Sequence, residues 1–323
     1  MELGEICTLQ FELWQNCNNG CKFCYLNGSR IISSPEKQVQ DIEKVRSIIN
    51  SEKLNDYNSI GLIGGEFFQG QLSDPEVKKH WLLLINDMAK YLREGKLKEC
   101  WITASLMSSD LTDLYETFDI FPKDKKILIS TSYDEEGRFK SEEQRQIWLN
   151  NLRLVHERYP QAMVHAQVIV TQSFLDKVLK DDTIIREILK YSGLDFKLPG
   201  LFRKDYTKLN VLNAKTYHDT LLRTKDQFPK GFFIEHRKDF LKFVKKLTEI
   251  FGSDKINWFC RNEVRSKTLY LLAPNKVLED RWDTNNDLEN AECGHVYDSY
   301  CYLDSDKCSR CDAMKLYQDL KEN

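Results

Sequence analysis

Strand-like apolar runs alternate with amphipathic helical stretches through the first two thirds of this chain, and that rhythm narrows the fold more than any other feature. A strand, a helix and a second strand in succession make a βαβ unit, whose strands lie parallel beneath the helices. The pattern predicts strands at 6–13, 59–63, 99–104, 126–132, 163–171 and 194–198. It predicts helices at 36–50, 75–93, 111–118, 142–159 and 173–191, the last with a break inside it. Right-handed crossovers wind six such units in one direction, which gives an α/β architecture, a partial (β/α)6 TIM-like barrel. Loops at the carboxyl ends of its strands then build the active site. From 199 to 236 the periodicity is weaker, and a helix at 237–251 is expected to cover the barrel's flank. A boundary is placed near residue 252, dividing a barrel of residues 1–251 from a small α+β cysteine-rich domain of residues 252–323. In that second part, 267–272 and 277–282 read as a hairpin around Pro274, Asn275 and Lys276.

A chain of 323 residues has room for this division. Hydrophobic residues make up 41% and charged residues 30%, a balance that supports a packed core and argues against extended disorder. The formal net charge of -3 leaves no basic excess to gather phosphates, so any nucleic-acid contact depends on a local patch. No apolar run approaches the roughly 20 residues of a membrane span, and Met1-Glu2-Leu3-Gly4-Glu5 lacks the basic region of a signal peptide. A soluble cytoplasmic protein with no membrane partner is the expectation. Thiols stay reduced in that compartment, so ten cysteines point to metal ligation rather than disulfides. Three cluster near the start and five follow residue 259; Cys7 and Cys100 stand apart in strand-like segments, as small buried hydrophobes do. The six histidines show no metal-ligand spacing.

Directly after the first predicted strand comes Cys17-Asn18-Asn19-Gly20-Cys21-Lys22-Phe23-Cys24. Three thiolates in so short a segment can wrap one corner of a cubane cluster and leave the fourth iron without a protein ligand. Structural zinc usually asks for four protein ligands. With this Cys-x3-Cys-x2-Cys spacing the chain resembles the radical S-adenosylmethionine superfamily. The resemblance implies that Cys17, Cys21 and Cys24 are the catalytic metal ligands of a [4Fe-4S] cluster. It implies that S-adenosylmethionine is cleaved to a 5'-deoxyadenosyl radical, which abstracts hydrogen from a substrate. An electron donor such as flavodoxin or ferredoxin is a further implied partner. Phe23 matches the family's aromatic position near the adenine and reads equally as a loop aromatic packed on the barrel.

The second predicted strand ends in Gly64-Gly65-Glu66-Phe67, similar to the family's Gly-Gly-Glu-Pro motif. The glycines let backbone approach a bound methionine moiety, and Glu66 can accept from its ammonium group. Phe67 stands where the family usually has proline. By the same resemblance Ser132, at the end of strand four, is a candidate for the cofactor's ribose or carboxylate. Arg145, at the start of the next helix, is a candidate for its carboxylate and reads equally as a helix-face arginine. Val168, Ile169 and Val170 are expected to include an adenine contact.

In the tail, Cys260, Cys293, Cys301, Cys308 and Cys311 surround the expected hairpin, the last two as a Cys-x2-Cys pair. The arrangement resembles a twitch or shortened SPASM domain and implies one auxiliary iron-sulfur cluster. Four of the same five cysteines would equally make a structural zinc site. The domain arrangement implies a peptide or protein side chain as substrate. A nucleotide or nucleic-acid base is the alternative, with Lys197, Arg203 and Lys204 available to phosphate.

Overall fold

The computed structural model describes residues 6–21, 32–135, 137–169, 171–197, 239, 242–243, 245–246, 256–257, 266–272, 295–296 and 300–301. Its strands are β1 (Ile6–Glu12), β2 (Ser59–Ile63), β3 (Glu99–Thr103), β4 (Lys126–Tyr133), β5 (Ala162–Ile169) and β6 (Gly193–Lys197). The connections carry α1 (Pro35–Ile49), α2 (Pro75–Arg93), α3 (Thr112–Phe118), α4 (Glu142–Arg158), and the pair α5 (Gln172–Lys180) and α6 (Thr183–Tyr191). Each of the six strands pairs in parallel with its sequence neighbour. From β1 to β6 the strand order never reverses, so these strands wind in one direction, as those of a partial (β/α) barrel do.

Local chemistry starts and stops these elements. Ser34 caps α1 ahead of Pro35, and the Asp74 carboxylate caps α2 ahead of Pro75, accepting from Glu76 N–H at 2.9 Å and Val77 N–H at 3.1 Å. The expected break in 173–191 falls at Asp181 and Asp182, where the Asp181 carboxylate accepts the Thr183 N–H at 3.0 Å and opens a second helix. Parallel strands covered on both faces should be apolar throughout, and in β2 Ser59, Ile60 and Leu62 are all fully buried. Cys100 in β3 is fully enclosed, and burial pushes its thiol well above the ordinary range, in keeping with a small core hydrophobe.

Of the expected flank helix at 237–251, Phe243 is buried 5.9 Å from the Phe174 ring, and Lys246 Nζ donates to the Val178 and Leu179 carbonyls. Those carbonyls belong to the last turn of α5, which has no intrahelical donors for them. Two further strands extend the sheet: β7 (Ile256–Asn257) beside β6, and β8 (Ser266–Leu272) beside β1. The run expected as the first arm of a hairpin thus pairs in parallel along β1, from Ile6 with Ser266 to Glu12 with Leu272. It satisfies backbone groups that would otherwise line an open edge. Residues 277–282, its expected partner, lie outside the described residues. A separate two-residue ladder joins β9 (His295–Val296) to β10 (Tyr300–Cys301). Among the described residues no helix is long and apolar enough to cross a membrane.

Candidate functional site

The cysteine segment leaves the carboxyl end of β1, and backbone hydrogen bonds carry the β1 to β2 pairing past the strand ends into it. Leu13 N–H donates to the Ile63 carbonyl at 3.1 Å, Gly65 N–H to Trp14 at 2.7 Å and Glu66 N–H to Asn16 at 2.9 Å. Gly64 and Gly65 face the Trp14, Gln15 and Asn16 backbone, so the space above them is filled by the stem of the cysteine segment. Asn16 closes that segment. Its Oδ1 accepts from Ser33 N–H at 2.9 Å, and its Nδ2 donates to the Ser33 carbonyl at 3.0 Å, tying residue 16 to residue 33.

Between the cysteines, Asn19 is buried and its Oδ1 accepts from Gln69 Nε2 at 2.7 Å. The same Gln69 nitrogen lies 3.2 Å from Ser105 Oγ in the loop after β3. Gly20 takes a left-handed φ of +66°, which glycine adopts without strain. Cys17 is half-buried and Cys21 is buried. Cys24 and Phe23 lie outside the described residues, and among those described no group of three or more metal-ligating side chains comes together.

Glu66 is buried, and all of its polar groups are engaged. Its Oε1 accepts from Phe67 N–H at 3.0 Å and Phe68 N–H at 2.9 Å, and its Oε2 from Ser105 N–H at 2.6 Å. The Trp14 indole N–H donates to its carbonyl at 2.8 Å. A carboxylate offers about four acceptor sites, and three of them are taken. The three in use make Glu66 a brace between the loops after β2 and β3.

Beneath this brace lies an aromatic layer. The Phe67 ring packs 5.0 Å from Trp14 and 4.9 Å from Trp81, while Phe68 bridges to Phe118. The residue standing in place of proline is thus a core residue.

Of the other predicted site residues, Ser132 is half-buried in β4 beside Gln167 of β5. Arg145 is held by two carboxylates, 3.4 Å from Glu135 and 2.5 Å from Glu142. Glu142 foremost pushes its pKa above the ordinary value. Glu135 also takes Lys177 and the Tyr133 hydroxyl; burial, reinforced by Glu135, pushes that phenol's pKa up. Val168 is fully buried, the backbone of Ile169 ends β5, and Val170 is outside the described residues. In the tail the structure describes the backbone of Cys301, opposite His295; Cys260, Cys293, Cys308 and Cys311 are outside the described residues.

Sequence reasoning passed over Asn16, whose side chain ties the connection after β1 to Ser33, and Asn19, Gln69 and Ser105, whose side chains join the loops after β1, β2 and β3. Their only signal is position, because Asn16 and Asn19 flank Cys17 and Gln69 follows Glu66 by three residues.

No family model matches the chain, and no curated protein matches it. Among solved structures, the crystal structure of BtrN in complex with AdoMet and 2-DOIA matches with a TM-score of 0.29 and 11% identity. The match covers 72% of this chain and 89% of that chain. At that identity and TM-score, neither family nor chemistry follows from the likeness.

Proposed function

We infer that this chain is a radical S-adenosylmethionine enzyme, with Cys17, Cys21 and Cys24 holding a [4Fe-4S] cluster at the carboxyl end of β1. The observation that carries the reading is the lacing of the cysteine segment to Gly64-Gly65-Glu66 through Trp14 and Asn16. It joins the two motifs at the ends of neighbouring parallel strands, where a (β/α) barrel builds its site. The donor set suits the group, since soft thiolates favour iron-sulfur clusters, and Cys21 is buried on a stem fixed at both ends by Asn16 and Ser33. When bound, the cluster would supply the electron that breaks the cofactor's bond from sulfur to C5'.

The chain's own residues then have defined tasks. Asn16, Asn19 and Gln69 hold the ligand loop in place, and the remaining acceptor site of Glu66 orients the methionine ammonium. Ser132 is assigned to the cofactor's ribose or carboxylate, and Phe23 to the neighbourhood of its adenine. Arg145 reaches the cofactor carboxylate only by loosening its contacts with Glu135 and Glu142. The substrate is assigned as a peptide or protein side chain, with a nucleotide or nucleic-acid base as the alternative. That assignment, like an auxiliary cluster on four of Cys260, Cys293, Cys301, Cys308 and Cys311, rests on the tail's resemblance alone.

The test is anaerobic reconstitution of wild type and of a variant with Cys17, Cys21 and Cys24 all changed to alanine. Wild type should take up more than one cluster's worth of iron and sulfide and form 5'-deoxyadenosine with S-adenosylmethionine and reductant. The triple variant should lose one cluster and all cleavage. Full iron content in the variant, or zinc alone in wild type, sinks the reading. Zinc confined to the tail, lost on changing Cys308 and Cys311 together to alanine, would make the tail structural.

A further inference from the structure

Lys140 precedes the Ser141 cap of α4, and its side chain lies against the cysteine segment. Its Cε is 3.9 Å and its Nζ 4.0 Å from where a Cβ on Gly20 would fall, so the stem rests on the glycine between Cys17 and Cys21. Adding a Cα–Cβ bond and one step along the chain places the ammonium within about 10 Å of the Cys21 Cα. Lys37, Lys78, Lys126 and Lys177 each meet a carboxylate, whereas Lys140 pairs with none among the described residues. Glu142, the first acidic residue after it, is held by Arg145 at 2.5 Å and by Gln146 at 2.7 Å.

Both sides of this contact are fixed. Lys140 N–H donates to Gln144 Oε1 at 2.8 Å, and the preceding Phe139 ring packs 5.5 Å from Tyr133 and 6.0 Å from Trp148. One residue earlier, Arg138 Nη2 donates to the Ser105 carbonyl at 2.9 Å. Opposite them, Gln69 holds the buried Asn19, and Gly20 turns the chain into the buried Cys21. An exposed cation without a counter-charge thus stands over the segment that carries two of the three thiols.

We propose that Lys140 tunes the redox poise of the cluster that Cys17, Cys21 and Cys24 would hold, a role that rests on the reading given above. Reduction brings one electron from an external reductant and leaves one more negative charge on the cluster and its thiolates. No bond in the protein forms or breaks. Cluster potential follows net charge and surroundings, so a fixed cation nearby favours the reduced state. Across about 10 Å a unit charge changes the ratio of reduced to oxidised cluster about twofold at the dielectric of water, and about tenfold at that of a protein surface. The Debye length at 0.1 M salt is also about 10 Å, so the effect should weaken as salt is added.

Redox titration of the anaerobically reconstituted full chain, followed by low-temperature paramagnetic resonance, tests the proposal. The signal missing when Cys17, Cys21 and Cys24 are all changed to alanine marks the cluster concerned. Lys140→Met keeps the stem and drops the charge. It should take up iron as wild type does and lower the potential by about 18 to 59 mV, the same twofold to tenfold at 59 mV per tenfold for one electron. Lys140→Glu should lower it further, and Lys140→Arg should stay near wild type. The gap between wild type and Lys140→Met should narrow as ionic strength rises.

An unchanged potential in Lys140→Met with full iron content, or an equal drop in Lys140→Arg, overturns this role and leaves the cluster assignment standing. Iron uptake lost alike in both variants would make the lysine a packing piece over Gly20 and also overturn it. An unaltered signal in the triple alanine variant overturns the cluster assignment and this role together.

Discussion

The Asn16 carbonyl oxygen lies 2.3 Å from the point where a Cβ on Gly65 would fall, and the Gln15 carbonyl oxygen lies 2.5 Å from it. Both neighbours are backbone, so neither can swing aside, and Asn16 is further tied to Ser33. Gly65→Ala should therefore push the cysteine stem off β2 rather than disturb a bound ligand alone. We expect a loss of about 1–3 kcal/mol in urea unfolding, the usual cost of overpacking, together with reduced iron uptake on reconstitution. Wild-type stability with only cofactor affinity impaired would show that the stem adapts and that the glycine serves the ligand.

Glu66 offers a sharper separation of structural and ligand roles. Glu66→Ala removes the acceptor of three buried N–H groups, those of Phe67, Phe68 and Ser105. Each amide left dry costs about 1–3 kcal/mol, so the metal-free variant should be severely destabilised. Glu66→Gln keeps one acceptor oxygen but turns an amide donor toward at least one N–H, and should cost about 1–3 kcal/mol. If both variants unfold at the wild-type urea midpoint, the brace is not what holds these loops together.

Asp41, on α1, has a fully buried side chain, and its Oδ2 has no partner. Desolvation raises its pKa above 3.8, although Lys37 pulls the other way. The folded state thus holds this proton more tightly than the unfolded chain does. Its contribution favours folding most below the unfolded value and is lost as pH climbs through the higher folded value. Asp41→Asn removes this titration. Relative to the variant, wild type should lose stability as pH rises from the ordinary carboxylate range through the higher folded value, in paired urea titrations. A constant difference, or one of opposite slope, would refute the burial argument.

The strands and helices were legible in the sequence because parallel strands are apolar runs and their caps are local. Ser34-Pro35 and Asp74-Pro75 announce α1 and α2, and Asp181-Asp182 accounts for the expected break between α5 and α6. What was not legible depends on pairs distant in sequence. The run 266–272 is as good a hairpin arm as a parallel edge strand, and only the presence of β1 beside it decides. Asn16, Gln69, Ser105 and Arg138 are ordinary polar residues until the fold brings the loop ends together. Their hydrogen bonds span 17 to 50 residues of chain, and no periodicity records them.

Phe67 stands where the Gly-Gly-Glu-Pro motif that this segment resembles has proline, and it tests whether that difference is built into the fold. Its ring is fully buried, nearly perpendicular to Trp14 at 80° and tilted at 31° to Trp81. Its N–H donates to Glu66 Oε1. Phe67→Pro removes both the ring and the donor. Truncating a buried aromatic costs about 3–5 kcal/mol, and the lost N–H also leaves one side of the Glu66 brace slack. Phe67→Leu keeps the donor and most of the apolar bulk, and should cost less, on the order of 1–2 kcal/mol. Urea unfolding followed by tryptophan fluorescence reports on this layer directly, since Trp14 and Trp81 both touch the altered side chain. The proline variant should unfold at a clearly lower urea concentration than the leucine variant. Equal midpoints would mean that the loop after β2 accepts proline and that the aromatic layer contributes little to holding the cysteine segment.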